Sequence, residues 1–244
     1  MFFFGKSDIG KRRSTNQDCF NITSLSDGSF LCTVCDGMGG ANGGNIASEI
    51  ASNVYTSYIK EHIEDESENK QELIFRAIVE ANSAVFKKAS SDEVLNGMGT
   101  TLVSALIDKN GNATIVNVGD SRMYYLENET LTQITRDHSY VQHLVDIGQI
   151  TVKEAENASI KNIIIRSIGN EKEANPDFFS LSVKPDSYIL LCSDGLTNCL
   201  DNETITKNIS ANSQEELASC VDKLIDLANE AGGPDNITVI LGKI

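Results

Sequence analysis

Apolar residues fall in two rhythms along this chain. Short runs rich in Val, Ile, Leu and Tyr stand between polar or glycine-bearing intervals: FLCTVC (30–35), TLVSALI (101–107), ATIVNV (113–118), RMYYLE (122–127), SYILLC (187–192) and ITVILGK (237–243). These predict strands. Elsewhere the apolar positions recur every three or four residues, which predicts helices. Two long helices fit between residues 44 and 90, one carrying Ile46, Ile50, Val54, Tyr58 and Ile59, the other Leu73, Ile74, Ala77, Ile78, Ala81, Val85 and Phe86. A third, at 213–233, opens on the capping-box pattern Ser213 to Glu216 and stops at Gly232-Gly233.

The spacing of the strands limits the topology. Only residues 108–112 separate the second predicted strand from the third, a hairpin signal. Gly119-Asp120-Ser121 separates the third from the fourth just as tightly. Neighbouring antiparallel strands are therefore expected, and a doubly wound parallel sheet is excluded. Residues 139–175 differ from the rest, with short helical pieces around a polar middle. Beside a catalytic cleft such a segment is expected to act as a mobile flap. There is no fixed-period repeat or low-complexity linker, so 1–244 is expected to form one domain.

Composition narrows the partners. The 244 residues are 40% hydrophobic and 23% charged, with a net charge of −15. Such a chain repels nucleic acid and anionic membrane surfaces and attracts cations. Much of the acidity lies in 61–72, read as a solvated junction between two helices. The N-terminus does not read as a signal peptide, and no run is long enough to span a membrane. Cys32 and Cys35 form a C-x-x-C without a second pair at zinc-ligand spacing. All six cysteines (Cys19, Cys32, Cys35, Cys192, Cys199, Cys220) are read as structural, and a reducing cytoplasm is expected.

The candidate chemistry sits at the strand ends. Asp36, Asp120 and Asp194 each follow an apolar run, and Asp235 directly precedes one. A single Asp-Gly is most simply a turn, but four such aspartates that converge need a counter-charge. Hard divalent cations with oxygen ligands supply one, so a carboxylate-built metal site in a hydrolase is the first reading. The glycine-rich DGMGGANGG lacks the G-K-[ST] of a nucleotide loop. Lys11-Arg12-Arg13 stands out in an acidic chain as a candidate anion clamp.

Taken together the motifs resemble a known family. SDIGKRRSTNQD (7–18), DGMGG (36–40), GTTL (99–102), VGDSR (118–122), TRDHS (135–139), LCSDGLT (191–197) and GGPDNITV (232–239) match, in order, those of the metal-dependent type-2C protein serine/threonine phosphatases, bacterial branch. The resemblance implies an α/β (α+β) fold, a four-layer α-β-β-α sandwich of two mainly antiparallel sheets flanked by helices. It implies two core Mn²⁺ or Mg²⁺ ions, with Asp36 bridging both, Gly37 offering its backbone carbonyl, Asp194 and Asp235 holding one ion, and Asp18 supporting them. It implies a third, weaker ion at Asp120 and Asp194, and a substrate phosphate on Arg13. The rival for Asp120 is a mere pairing with Arg122 or a cap on the turn at Ser121. His138 is read as a structural histidine at the flap base ahead of a general acid. The implied reaction is in-line attack on phosphoserine or phosphothreonine by hydroxide that two cations generate from water. The implied partners are phosphorylated Ser/Thr proteins, substrates of a serine/threonine kinase and the kinase itself, acted on by a cytoplasmic monomer. Arg12, Ala41 and Asn45 depart from common family residues without touching the ligand set, and Met38 stands where eukaryotic members place a His, as in bacterial relatives. The alternative from another class is a non-catalytic pseudophosphatase that binds phosphoproteins.

Overall fold

The computed structural model of the chain describes residues 1–65, 69–156, 158, 160 and 162–244. Residues 66–68 of the acidic junction, 157, 159 and 161 of the expected flap, and the side chains of Ala41 and Asn42 lie outside the described residues.

The strands, in chain order, are β1 (Phe2–Asp8), β2 (Asp18–Ser24), β3 (Phe30–Met38), β4 (Gly99–Thr100), β5 (Leu102–Ile107), β6 (Asn112–Val118), β7 (Arg122–Glu127), β8 (Thr130–Gln133), β9 (Asp177–Ser182), β10 (Tyr188–Cys192) and β11 (Ile237–Lys243). The helices are α1 (Gly40–His62), α2 (Lys70–Ser90), α3 (Tyr140–Asp146), α4 (Val152–Glu156), α5 (Asp194–Thr197), α6 (Asn202–Lys207) and α7 (Gln214–Glu230). One sheet has the order β1-β11-β10-β7-β8 and the other β2-β3-β5-β6-β9, with β4 paired to β3. Every strand pairing is antiparallel.

Three apolar layers hold the sandwich together. Alternate residues of β3, β5 and β6, such as Leu31, Cys35, Leu102 and Val116, pack under α1 and α2. Val34, Val103, Ile115, Ile189, Leu191 and Ile240 fill the space between the sheets. Leu190, Cys192, Val239 and Leu241 pack under α7. Central strands such as β5 and β10 are covered on both faces, which is why they read as unbroken apolar runs rather than as alternation. The four-layer expectation holds. Cys32 faces the inter-sheet layer while Cys35 faces α1, so the C-x-x-C is split across a strand and stays structural.

One expectation needs correcting. The tight interval 119–121 does not make a hairpin: β6 belongs to one sheet and β7 to the other. The chain crosses the gap between the sheets there, and Asp120 rides on the crossing. Of the two intervals, 108–112 is the one that turns as a hairpin, through the β5–β6 ladder. The capping box on α7 forms, with Ser213 Oγ accepting from the Glu216 N–H at 3.2 Å.

Candidate active site

Five aspartates reach one region from five places in the chain. Asp36 lies near the end of β3, and Asp18 opens β2 directly opposite it in the β2–β3 register. Asp120 sits on the inter-sheet crossing, Asp194 begins α5 where β10 ends, and Asp235 precedes β11 by two residues. Like charges facing each other across a ladder destabilise it, so the Asp18–Asp36 pair is not there to strengthen the sheet. A cleft of about 390 Å³ is lined by Arg13, Asp36, Gly37, Asp120, Asp194 and Asp235, with Asn162 and Ile164 of the 139–175 segment on its wall. A larger groove of about 1020 Å³ lies at the far end of β10 and beside α6, and contains none of these carboxylates.

The electrostatics are those of crowded acid. Burial, then the neighbouring Asp18 and Asp194, hold the Asp36 carboxyl well above the usual range. Burial and Asp194 push Asp120 up to about 8. Burial takes Asp18 to about 7 even though Thr238 and Ser193 donate hydroxyl hydrogen bonds to it. Asp194 is raised to about 6 by burial and by Asp235. Each shift signals a missing positive charge.

The donor set fits divalent cations. Asp18 Oδ1, Asp120 Oδ1 and Asp194 Oδ1 are buried without a hydrogen-bond partner. Native proteins rarely leave such atoms unmet, and carboxylate oxygens without protons around them are what Mg²⁺ and Mn²⁺ take. The other oxygens are anchored: Asp18 Oδ2 accepts from Ser193 Oγ at 2.8 Å and Thr238 Oγ1 at 2.7 Å, and Asp194 Oδ2 accepts from Asn198 at 2.9 Å. Among the described residues no three acidic, cysteine or histidine side chains stand as a ready ligand set around one point. Asp235 is engaged by its neighbours: its Oδ2 accepts from Arg13 Nη2 at 2.7 Å and its Oδ1 from the Asn236 N–H at 2.8 Å.

Arg13 lines the cleft as expected, but paired with Asp235 rather than open to an anion. Gly37 lines it too, and a Cβ there would strike Gly44 O at 2.1 Å and Gln17 O at 2.6 Å. The start of α1 packs directly on the Asp36-Gly37 backbone, and this close approach accounts for glycine in DGMGGANGG without any phosphate. Arg122 does not pair with Asp120. It grips Asp137 in a bidentate pair, Nε to Oδ1 at 2.9 Å and Nη2 to Oδ2 at 2.6 Å.

His138 is 4% exposed and does not line the cleft. Its Nδ1 accepts the Gly119 N–H at 3.2 Å, which places the ring proton on Nε2, 3.1 Å from Asp177 Oδ2. Burial lowers its pKa, so it is neutral at pH 7. This is the structural histidine of the sequence reading.

Several positioning residues escaped that reading. Asn236 Oδ1 accepts the Gln17 N–H at 2.9 Å, and its Nδ2 donates to Ile9 O and Thr15 O, fixing the loop that carries Arg13. Ser193 and Thr238 fix Asp18. The signal was present, since each of the three adjoins a motif aspartate or its strand, but nothing in a single sequence says which motif partners touch.

Fold and site together define an α+β sandwich protein with an acidic cleft where its two sheets meet. Residues 5–240 match the family model described as protein phosphatase 2C, and the chain belongs to that family. It is 39% identical over 237 residues to the serine/threonine phosphatase stp of Listeria welshimeri, covering 97% of this chain and 93% of that one. The serine/threonine phosphatase of S. agalactiae superposes with a TM-score of 0.90 at 36% identity, with 100% of both chains covered. The catalytic domain of the phosphatase PstP, solved in complex with two manganese ions, gives a TM-score of 0.85 at 32% identity over 98% of this chain and 96% of that one. Among the described residues no helix is long and apolar enough to cross a membrane.

Proposed function

We propose that this chain is a metal-dependent serine/threonine protein phosphatase. The observation that carries the proposal is the convergence of four aspartates on one cleft with Asp18 opposite Asp36 in the ladder, three of the five having a buried, unpartnered oxygen. Mn²⁺ or Mg²⁺, when bound, supplies a deprotonated water as nucleophile and neutralises charge on the phosphoryl oxygens. Asp36, the Gly37 carbonyl, Asp194 and Asp235 would hold the two core ions, with Asp18, opposite Asp36 in the ladder, supporting them. Asp120, with Asp194, would hold a third and weaker ion.

The protein's own part is positioning. Arg13 exchanges Asp235 for the substrate phosphate, a swap within reach because both side chains stand at the cleft mouth, 49% and 26% exposed. Guanidinium suits this role, since its fork can meet two phosphoryl oxygens. Residues 139–175 act as a flap. Asn162 and Ile164 line the cleft, and Tyr140, Ile147, Val152, Ile163 and Ile165 of the same segment are exposed apolar residues. Exposed apolar side chains on a segment that reaches the cleft suit contact with a protein substrate. The substrates are phosphorylated Ser/Thr proteins of the cytoplasm, including those of a serine/threonine kinase and the kinase itself, and the enzyme works as a monomer. A pseudophosphatase would be expected to have lost a ligating aspartate; all are present and converge.

The test is hydrolysis of a phosphothreonine peptide with Mn²⁺ or Mg²⁺, then with EDTA, then with metal restored. Activity that vanishes with chelator and returns with metal is expected. Full activity in EDTA overturns the proposal.

A further inference from the structure

Thr101 stands where the sheet pairing is interrupted, between β4 and β5. It is fully buried, as is Ser121. Opposite it, Asp36 turns both backbone groups to this one residue. The Asp36 N–H donates to Thr101 Oγ1 at 2.9 Å, and the Thr101 N–H donates to Asp36 O at 2.9 Å. The same Oγ1 lies 2.7 Å from Ser121 Oγ, the residue after Asp120. On the other side of that turn, Gly119 (φ +113°) packs so tightly that a Cβ would meet Thr101 Cγ2 at 2.5 Å and Cβ at 2.6 Å. Thr101 therefore touches the backbone carrying Asp36, on β3, and the turn carrying Asp120, which leads from β6 across to the other sheet.

We infer that Thr101 is a positioning residue whose single buried hydroxyl sets the spacing between Asp36 and the Asp120 turn, and so the fit of the carboxylate cluster to its cations. A valine would fill the same space but would leave the Asp36 N–H unmet and cut the link to Ser121. The inference rests on the proposed metal site, and its consequence is on cation binding before it is on chemistry. Groups that orient ligands typically matter about 10- to 100-fold for metal affinity.

The test uses the full chain with Mn²⁺ as probe, in three readouts: calorimetric Mn²⁺ titration, melting in EDTA, and kcat and KM on a phosphothreonine peptide. Thr101→Val is expected to weaken Mn²⁺ binding at least about tenfold and to lower kcat, with KM within about twofold because the phosphate contact is untouched. Thr101→Ser restores the hydroxyl and is expected to restore binding to near wild type. The double variant Thr101→Val/Ser121→Ala is expected to be no worse than Thr101→Val, because the two hydroxyls act as one link. Wild-type Mn²⁺ affinity in Thr101→Val, or a Thr101→Ser variant as impaired as the valine, overturns the inference. So does a double variant whose losses multiply. If Thr101→Val does not fold, Ser121→Ala carries the test, since it keeps the Asp36 bond and removes only the link; unchanged Mn²⁺ affinity there overturns it equally. Failure of the wild-type chain to bind Mn²⁺ would instead sink the proposed function, so the two are told apart.

Discussion

Replacing Arg13 by alanine separates two roles that the structure superimposes. The guanidinium is bonded to Asp235 at 2.7 Å, so it could be a counter-ion for the acidic cleft, a clamp for the substrate phosphate, or each in turn. With side chains 49% and 26% exposed, the ion pair itself is worth about 0–1 kcal/mol, and Arg13→Ala should change stability by no more than that. A charged hydrogen bond to phosphate is worth about 1.5–3 kcal/mol, which translates to a loss of roughly 10- to 100-fold in kcat/KM. Removing Arg13 also releases Asp235 Oδ2, so Mn²⁺ binding should hold or tighten. The expected pattern is a raised KM on a phosphothreonine peptide, unchanged or stronger Mn²⁺ binding by calorimetry, and a melting temperature close to wild type. Arg12→Ala, beside it on the same loop but not a lining residue of the cleft, should do far less. Unchanged KM with weakened metal binding would refute the clamp and leave Arg13 as a structural partner of Asp235. Equal kinetic losses at Arg12 and Arg13 would refute it as well.

Other expectations follow from the same geometry. Asp36→Asn removes the charge shared by the core ions and should cost at least ~10²-fold in kcat; near-normal turnover would contradict its central role. Asp120→Ala should keep the fold and the two core ions but lose a bound Mn²⁺ and much of the turnover; an unchanged ion count with a lowered melting point would retire the third ion. In EDTA the folded chain retains protons on Asp18, Asp120 and Asp194, at about 7, 8 and 6, that the unfolded chain gives up near 3.8. Folded binds more protons than unfolded across that window, so stability should fall as pH rises from about 4 toward 8. Melting in EDTA should therefore be lower at pH 8.5 than at pH 5.5, with a flatter slope in Asp120→Asn; a rising melting temperature would contradict the burial of these carboxylates.

How much of this was legible from sequence depended on whether the responsible physics was local. The central strands and the three long helices were readable because burial on two faces, or on one stripe, writes itself directly into residue order. The edge and rim strands were not. β2 (DCFNITS) is half-buried along its length and mixes polar with apolar residues, and β9 (DFFSLS) is similar. Their place is set by pairing with β3 and β6, an interaction remote in sequence. The same limit explains the misread turn at 119–121. Three residues are short enough for a hairpin, and only the packing of two sheets shows that they bridge a gap instead.

The site divides along the same line. Each aspartate is visible in sequence as a carboxylate at a strand end, but convergence is a property of the sandwich. Strand ends of both sheets meet at one rim, and the chain crosses between the sheets at Asp120, so carboxylates from β3, the crossing, α5 and the turn before β11 line one cleft, with Asp18 of β2 opposite Asp36. The cost is local. Asp18 and Asp36 oppose each other in a ladder, and three carboxylate oxygens are buried unpaired. Fixing such a cluster takes rigid neutral donors and acceptors around it, because a further charge would compete with the cation. Ser193, Thr238, Asn198 and Thr101 are of this kind, each holding a carboxylate or its backbone by a bond of 2.7–2.9 Å, and Asn236 holds the loop beside them through the Gln17 N–H. Among the described residues Arg13 is the one positively charged group bonded directly to the cluster's carboxylates, and it stands at the exposed mouth, where it can leave Asp235 for an anion without stranding a buried charge. The arrangement assigns permanence to the neutral hydrogen bonds and exchange to the ion pair.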